Sequence, residues 1–128
     1  MADGLASASA NNILNVYRNT AYAAIATVYA QLHTGAPGAS GTANVSVGSA
    51  TRNAVTWNAA SAGSMTLSAL SAWTNGGTSE TITDITLWTA SSAGTFLQSC
   101  ALTASQAWAS TNTLTITALT LSYSPLAA

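Results

Sequence analysis

The chain has no lysine, and its only ionisable charges at neutral pH are Arg18, Arg52, Asp3, Glu80 and Asp84. Charged residues make up 4% of the sequence, where an ordinary soluble domain has about 25%. That scarcity excludes whole classes of partner. Phosphate recognition requires several Lys or Arg side chains to displace counterions, and two separated arginines form no such stripe, so nucleic acid is not an expected partner. Anionic membrane surfaces are excluded for the same reason. The most apolar run, Ala21–Ala30, is about half the ~20 residues that a helical membrane span needs. The opening MADGLASASANN has no basic stretch followed by an apolar core, so no signal peptide is expected.

Chemistry is equally short of raw material. Cys100 is the single cysteine, which rules out an intrachain disulfide. One histidine, one cysteine and three dispersed carboxylates do not supply the clustered ligands of a metal site, and neither a metal nor another cofactor is expected. The G-x-S-x-G elbow of serine hydrolases is absent. Glu80 and Asp84 are the closest pair of carboxylates, but four residues of extended strand span about 13 Å, beyond the ~5–9.5 Å of paired glycosidase carboxylates. The chain is therefore read as having no catalytic residues. His33 is expected to be a polar strand residue bonded to a neighbouring loop, Asp84 to pair with Arg18 or Arg52, and Glu80 to be solvated.

What remains is a neutral surface of Ser, Thr, Asn, Gly and Ala around a core built from Leu, Ile, Val and four tryptophans. A net charge near zero favours association over dispersion, and a small domain without disulfide or metal must rest on its core or on its neighbours. Trp57, Trp73, Trp88 and Trp108 are expected in the core or at a subunit interface. Sugar stacking through exposed tryptophans is the alternative, since each ring offers ~150–250 Å² of surface for either use.

The period of the apolar residues changes once. From Leu5 to Tyr17, the residues Leu5, Ile13, Val16 and Tyr17 recur near helical spacing. A short helix is predicted there, capped by Asp3 or Ser7 and leaving at Asn19-Thr20. Its apolar stripe is thin, so it needs a surface to dock on. Beyond Tyr22 the period is two: Val28, Ala30 and Leu32 alternate with Tyr29, Gln31 and His33. Strands are predicted at 27–34, 51–57, 64–69, 80–89, 95–102 and 113–123, separated by Gly-rich turns such as Ser61-Ala62-Gly63 and Ser91-Ser92-Ala93-Gly94. In the last strand the apolar parity shifts between Ile116 and Leu119, which predicts a bulge near Thr117-Ala118, and Pro125 is expected to end the sheet. The fold class is mostly β: a β-sandwich or jelly-roll-like domain over residues 21–128, preceded by a helical arm over residues 1–20.

Particular strings carry a further resemblance. Gln31-Leu32-His33-Thr34-Gly35-Ala36-Pro37-Gly38 is followed by Thr51-Arg52-Asn53-Ala54-Val55-Thr56-Trp57. Then come Ile82-Thr83-Asp84-Ile85-Thr86-Leu87-Trp88-Thr89-Ala90, Gly94-Thr95-Phe96-Leu97 and the ending Leu119-Thr120-Leu121-Ser122-Tyr123-Ser124-Pro125. In order and along nearly the whole chain, this series resembles a family of small virion proteins of tailed bacteriophages, many of them from phages of actinobacteria. Its members are described as head-decoration, minor tail or tail-fibre proteins. Each string is a strand or turn rather than a chemical site. Ala36 stands where the pattern has an acidic residue, so no role of that acid carries over.

The resemblance implies a structural virion protein, made in the host cytoplasm. The first expectation is a capsid-decoration protein on the outer face of the major capsid lattice, acting as a homo-oligomer with the major capsid protein as partner. A minor tail or tail-fibre protein, with tail proteins as partners, is the alternative. Leu5, Ile13, Leu14 and Tyr17 are the candidate attachment or oligomer contacts.

Overall fold

In a computed structural model that describes residues 3–123, the mostly β class holds, with one short helix in front. Helix α1 (Ser7–Val16) precedes eight strands: β1 (Val28–His33), β2 (Asn53–Trp57), β3 (Ser64–Leu70), β4 (Trp73–Thr74), β5 (Glu80–Trp88), β6 (Phe96–Trp108), β7 (Thr113–Leu114) and β8 (Thr120–Ser122). Six of them form one antiparallel sheet in the order β6-β5-β1-β2-β3-β8, and β4 and β7 pair as a separate ribbon. Pro125 lies outside the described residues.

The alternation in β1 survives as two layers of different character. Ala30 and Leu32 face inward and are buried with Val55, Ile85, Leu87 and Leu97. Gln31 and His33 face the opposite side and are also buried, because the segment between β1 and β2 folds back over them. Both faces of this strand are therefore covered. The sheet curls around the apolar layer until its two edge strands, β6 and β8, line the same cavity.

The two ends of this curled sheet differ. At one end, Trp73, Ile82, Trp108 and Leu114 fill the interior. There the β4–β7 ribbon closes the structure, with Trp73 Nε1 donating to Thr51 O at 2.8 Å and Trp108 Nε1 donating to Asn112 O at 2.9 Å. The pairings Val28↔Val55, Tyr29↔Trp88, Trp88↔Phe96 and Ser64↔Ser122 mark the other end. Among the described residues no strand plugs that end, and a cavity of about 680 Å³ opens there.

Several local expectations need correction. Helix α1 begins after Ala6 with no side-chain cap, because Ala6 is held as extended backbone: its amide donates to Leu97 O at 2.8 Å, and Leu5 bridges Gln98. Neither Asp3 nor Ser7 caps it. The predicted 113–123 strand is two short strands on different partners, β7 on β4 and β8 on β3. The parity change therefore marks an interruption and a change of sheet rather than a bulge. The 95–102 strand runs on to Trp108, with an irregularity opposite Ile82–Asp84.

Candidate functional site: an open apolar end

The cavity wall comes from all six strands of the main sheet and from the N-terminal segment. Val28, Trp57, Leu87 and Leu97 contribute from the ends of β1, β2, β5 and β6, and Met65 and Leu121 from β3 and β8. Leu5, Ile13, Tyr22 and Ile25 contribute from the N-terminal segment. The lining includes no Asp, Glu, Lys or Arg. Cys100 is also in the wall, and burial pushes its thiol above the ordinary value, so it stays protonated and acts as a small apolar group.

Helix α1 lies against β6 beside this opening. Its side toward the sheet is polar and small: Ser9 is buried, with its hydroxyl donating to Phe96 O at 3.5 Å. The bulky residues other than Ile13 are left outside. Leu14 is 63% exposed, Val16 53% and Tyr17 89%. Of the four residues singled out from sequence, Ile13 enters the cavity wall, Leu5 belongs both to the wall and to the solvent surface, and Leu14 and Tyr17 face solvent. Tyr22 and Tyr123, in the cavity wall, are exposed as well. Among the described residues, every exposed large hydrophobic side chain except Val47 belongs to the N-terminal segment or to the end of β8. Exposed apolar residues scattered singly are ordinary, but a contiguous group around an apolar opening marks an interaction surface.

Glu80, Arg52, Asp84 and His33 are used elsewhere, within the fold. Glu80 is not simply solvated: its carboxylate accepts from Ser46 Oγ, from Val47 N at 3.2 Å and from Gly48 N at 3.1 Å, fixing the loop before β2. Arg52 does not pair with Asp84. It stacks 3.7 Å from the centre of the Trp88 ring and donates to Ala90 O at 3.2 Å, Ala93 O at 2.6 Å and Gln31 Oε1 at 3.3 Å. It thereby pins the β5–β6 turn, and burial lowers its pKa from the ordinary arginine value. Arg18 donates to Asn15 Oδ1 rather than to Asp84. Asp84 is buried, accepts through Oδ2 from Thr83 Oγ1 and has no hydrogen-bond partner for Oδ1.

His33 is bonded to a loop, as expected of a polar strand residue, and is fully buried. Its Nδ1 lies 2.8 Å from Ala43 O and its Nε2 2.8 Å from Thr86 Oγ1. Among the described residues, no group of three or more His, Cys, Asp or Glu side chains could hold a metal ion, and no helix is long and apolar enough to cross a membrane. Trp73, Trp88 and Trp108 are buried, so the tryptophans form no exposed row for stacking on sugars.

A compact β domain whose distinctive surface is apolar and uncharged has the make-up of an assembly subunit. The sequence gives the family directly: residues 4–124 match the podophage GP4 fiber I protein gp80 family, and the chain belongs to it. The protein is thus a phage fibre-family protein with a structural role in the virion. No curated protein matches the chain.

Proposed function

We propose that the protein is a non-enzymatic building block of the phage particle that joins its neighbours through the open apolar end. The observation carrying this reading is the open apolar cavity with exposed Tyr22 and Tyr123 in its wall, beside a helix that gives Ile13 to that wall and leaves Leu14 and Val16 in solvent. Burial of apolar area contributes roughly 25 cal/mol per Å². Each copy that covers this end therefore stabilises both itself and its assembly by mass action.

The family's description as a fibre protein favours a place on the tail, with other tail proteins as partners. Decoration of the outer capsid face, bound to the major capsid protein, is the second reading. It is favoured by the chain's low charge, which suits packing against a lattice of neighbours. Immunogold electron microscopy of intact virions, with an antibody against this chain, separates the two. Label confined to the tail supports the fibre reading, label spread over the head supports decoration, and unlabelled particles with the chain left in the lysate would overturn the structural role.

A further inference from the structure

At the closed end of the sheet, one polar side chain joins three segments. Asn75 follows β4 and is 1% exposed. Its Nδ2 donates to Thr78 O and to Trp108 O, each at 3.0 Å, and its Oδ1 accepts from Gly77 N at 2.9 Å. The backbone is engaged as well, with Asn75 N donating to Asn112 O and Asn75 O accepting from Thr111 N, both at 2.9 Å. The loop before β2 lies over the same amide: a Cβ at Gly48 would stand 2.6 Å from Oδ1 and 2.7 Å from Cγ. Gly48 O accepts from Gly76 N at 2.9 Å, while Gly48 N donates to Glu80.

Asn75 is followed by glycine, in the single Asn-Gly step of the sequence. Such a step is chemically reactive, because glycine has no side chain to keep its amide nitrogen away from the preceding carboxamide. We propose that Asn75–Gly76 is a deamidation site gated by the closed end, inert while that end is shut and reactive once it opens. The co-reactant is water. Gly76 N gives up its proton to solvent and bonds to Asn75 Cγ. The Cγ–Nδ2 bond breaks, and Nδ2 takes a proton from solvent and leaves as ammonia. Water then opens the resulting succinimide at either carbonyl, giving an aspartate or an isoaspartate at this position. In the shut state each participant is held: Gly76 N–H is committed to Gly48 O, the leaving Nδ2 to two carbonyls, and burial keeps water from Cγ.

The product does not fit the place it came from. A carboxylate only accepts, whereas the Thr78 and Trp108 carbonyls need a donor, and burying a charge without one is costly. An isoaspartate also lengthens the main chain by a methylene. Local opening is ordinarily reversible; this reaction makes opening of the closed end permanent.

Peptide mass spectrometry of the purified full chain, incubated at mildly alkaline pH, tests the proposal. Asn75 is expected to stay intact in the wild-type chain while a free peptide spanning residues 73–80 converts. Gly48→Ala wedges the loop away from the amide, and Glu80→Ala releases the same loop without adding bulk. Each variant that folds, as judged by circular dichroism, is expected to convert at Asn75 several-fold faster than wild type. Leu97→Ala, which removes a buried side chain from the wall of the open end, is expected to leave the rate unchanged. Conversion of the folded wild-type chain at the peptide's rate would overturn the proposal, and so would folded loop variants that convert no faster than wild type. Equal acceleration by Leu97→Ala would assign the reaction to global unfolding and overturn the gate.

Discussion

His33 and Thr86 meet across the β1–β5 pair, with Nε2 2.8 Å from Oγ1, in a fully buried contact that holds only one arrangement of protons. The other ring nitrogen lies against the carbonyl of Ala43, which can only accept, so Nδ1 carries the hydrogen. Nε2 of the neutral ring then accepts from Thr86 Oγ1, and that oxygen accepts from Trp88 Nε1 at 2.8 Å. Through this chain the loop after β1 is tied to β5.

Acid should undo it. Burial holds the His33 pKa below the ordinary value, outweighing the Ala43 carbonyl and Asp84, which raise it, while Arg52 lowers it further. The unfolded chain therefore takes up a proton at higher pH than the folded one. Stability is fully present above about pH 6.5, the unfolded value, and is lost as pH falls through the lower folded value. The thermal midpoint should be flat just above neutrality and decline below it. His33→Gln, destabilised at neutral pH, should lose that decline, and the same decline in this variant would assign it to another group.

Glu80 turns a neutral loop into a fixed one. Glu80→Ala leaves the amides of Val47 and Gly48 and the Ser46 hydroxyl without their acceptor. Hydrogen bonds to a charged group contribute roughly 1.5–3 kcal/mol, and a loss of that size is expected in urea unfolding. Val47→Ser, at an exposed side chain in the same loop, should change stability by less than about 0.5 kcal/mol.

The closed end should be the costly place to cut. Trp73→Ala removes a 2%-exposed indole and its bond to Thr51, which costs roughly 3–5 kcal/mol. Total stability of a domain is only about 5–15 kcal/mol, so this variant should unfold at much lower urea or fail to accumulate. Trp57, half-buried at the open end, should be more tolerant of change to Phe, which also removes an indole N–H that has no partner.

Two hairpin turns use alanine where glycine or asparagine is better suited. Ala62 and Ala93 have φ of 49° and 52°, each followed by a glycine at positive φ. The left-handed region costs an ordinary residue roughly 1–2 kcal/mol. Ala62→Gly or Ala62→Asn should therefore raise the unfolding midpoint by the equivalent of about 1 kcal/mol. The reverse experiment is Gly41→Ala, at φ 71°, where a new Cβ would stand 2.6 Å from the Phe96 ring. That change should destabilise.

The sequence made the regular strands legible because a period of two persists through β1, β2, β3 and β5 whatever surrounds them. The thin stripe among alanines singles out Leu5, Ile13, Leu14 and Tyr17 as candidate attachment contacts, but it does not reveal that Leu5 and Ile13 turn to the cavity while Leu14 and Tyr17 stay in solvent. The β4–β7 ribbon was not legible: two residues per strand carry no period, and Trp73 reads like any core tryptophan. The interruption between β7 and β8 has the same parity signature as a bulge, and only the pairing partners distinguish them. The role of Glu80 depends on a loop more than 30 residues earlier in the chain, and the open end on which strands lie at the edges of the sheet. Neither is written in local spacing.

The most direct test of the account is the amount of this chain in purified phage particles when Leu14→Asp and Tyr17→Asp are introduced together in the phage genome. The account predicts that wild-type particles contain the chain and that the variant stays folded in the lysate but is lost from particles. Incorporation of the variant at the wild-type level would contradict the claim that the open apolar end is what holds this protein in the virion.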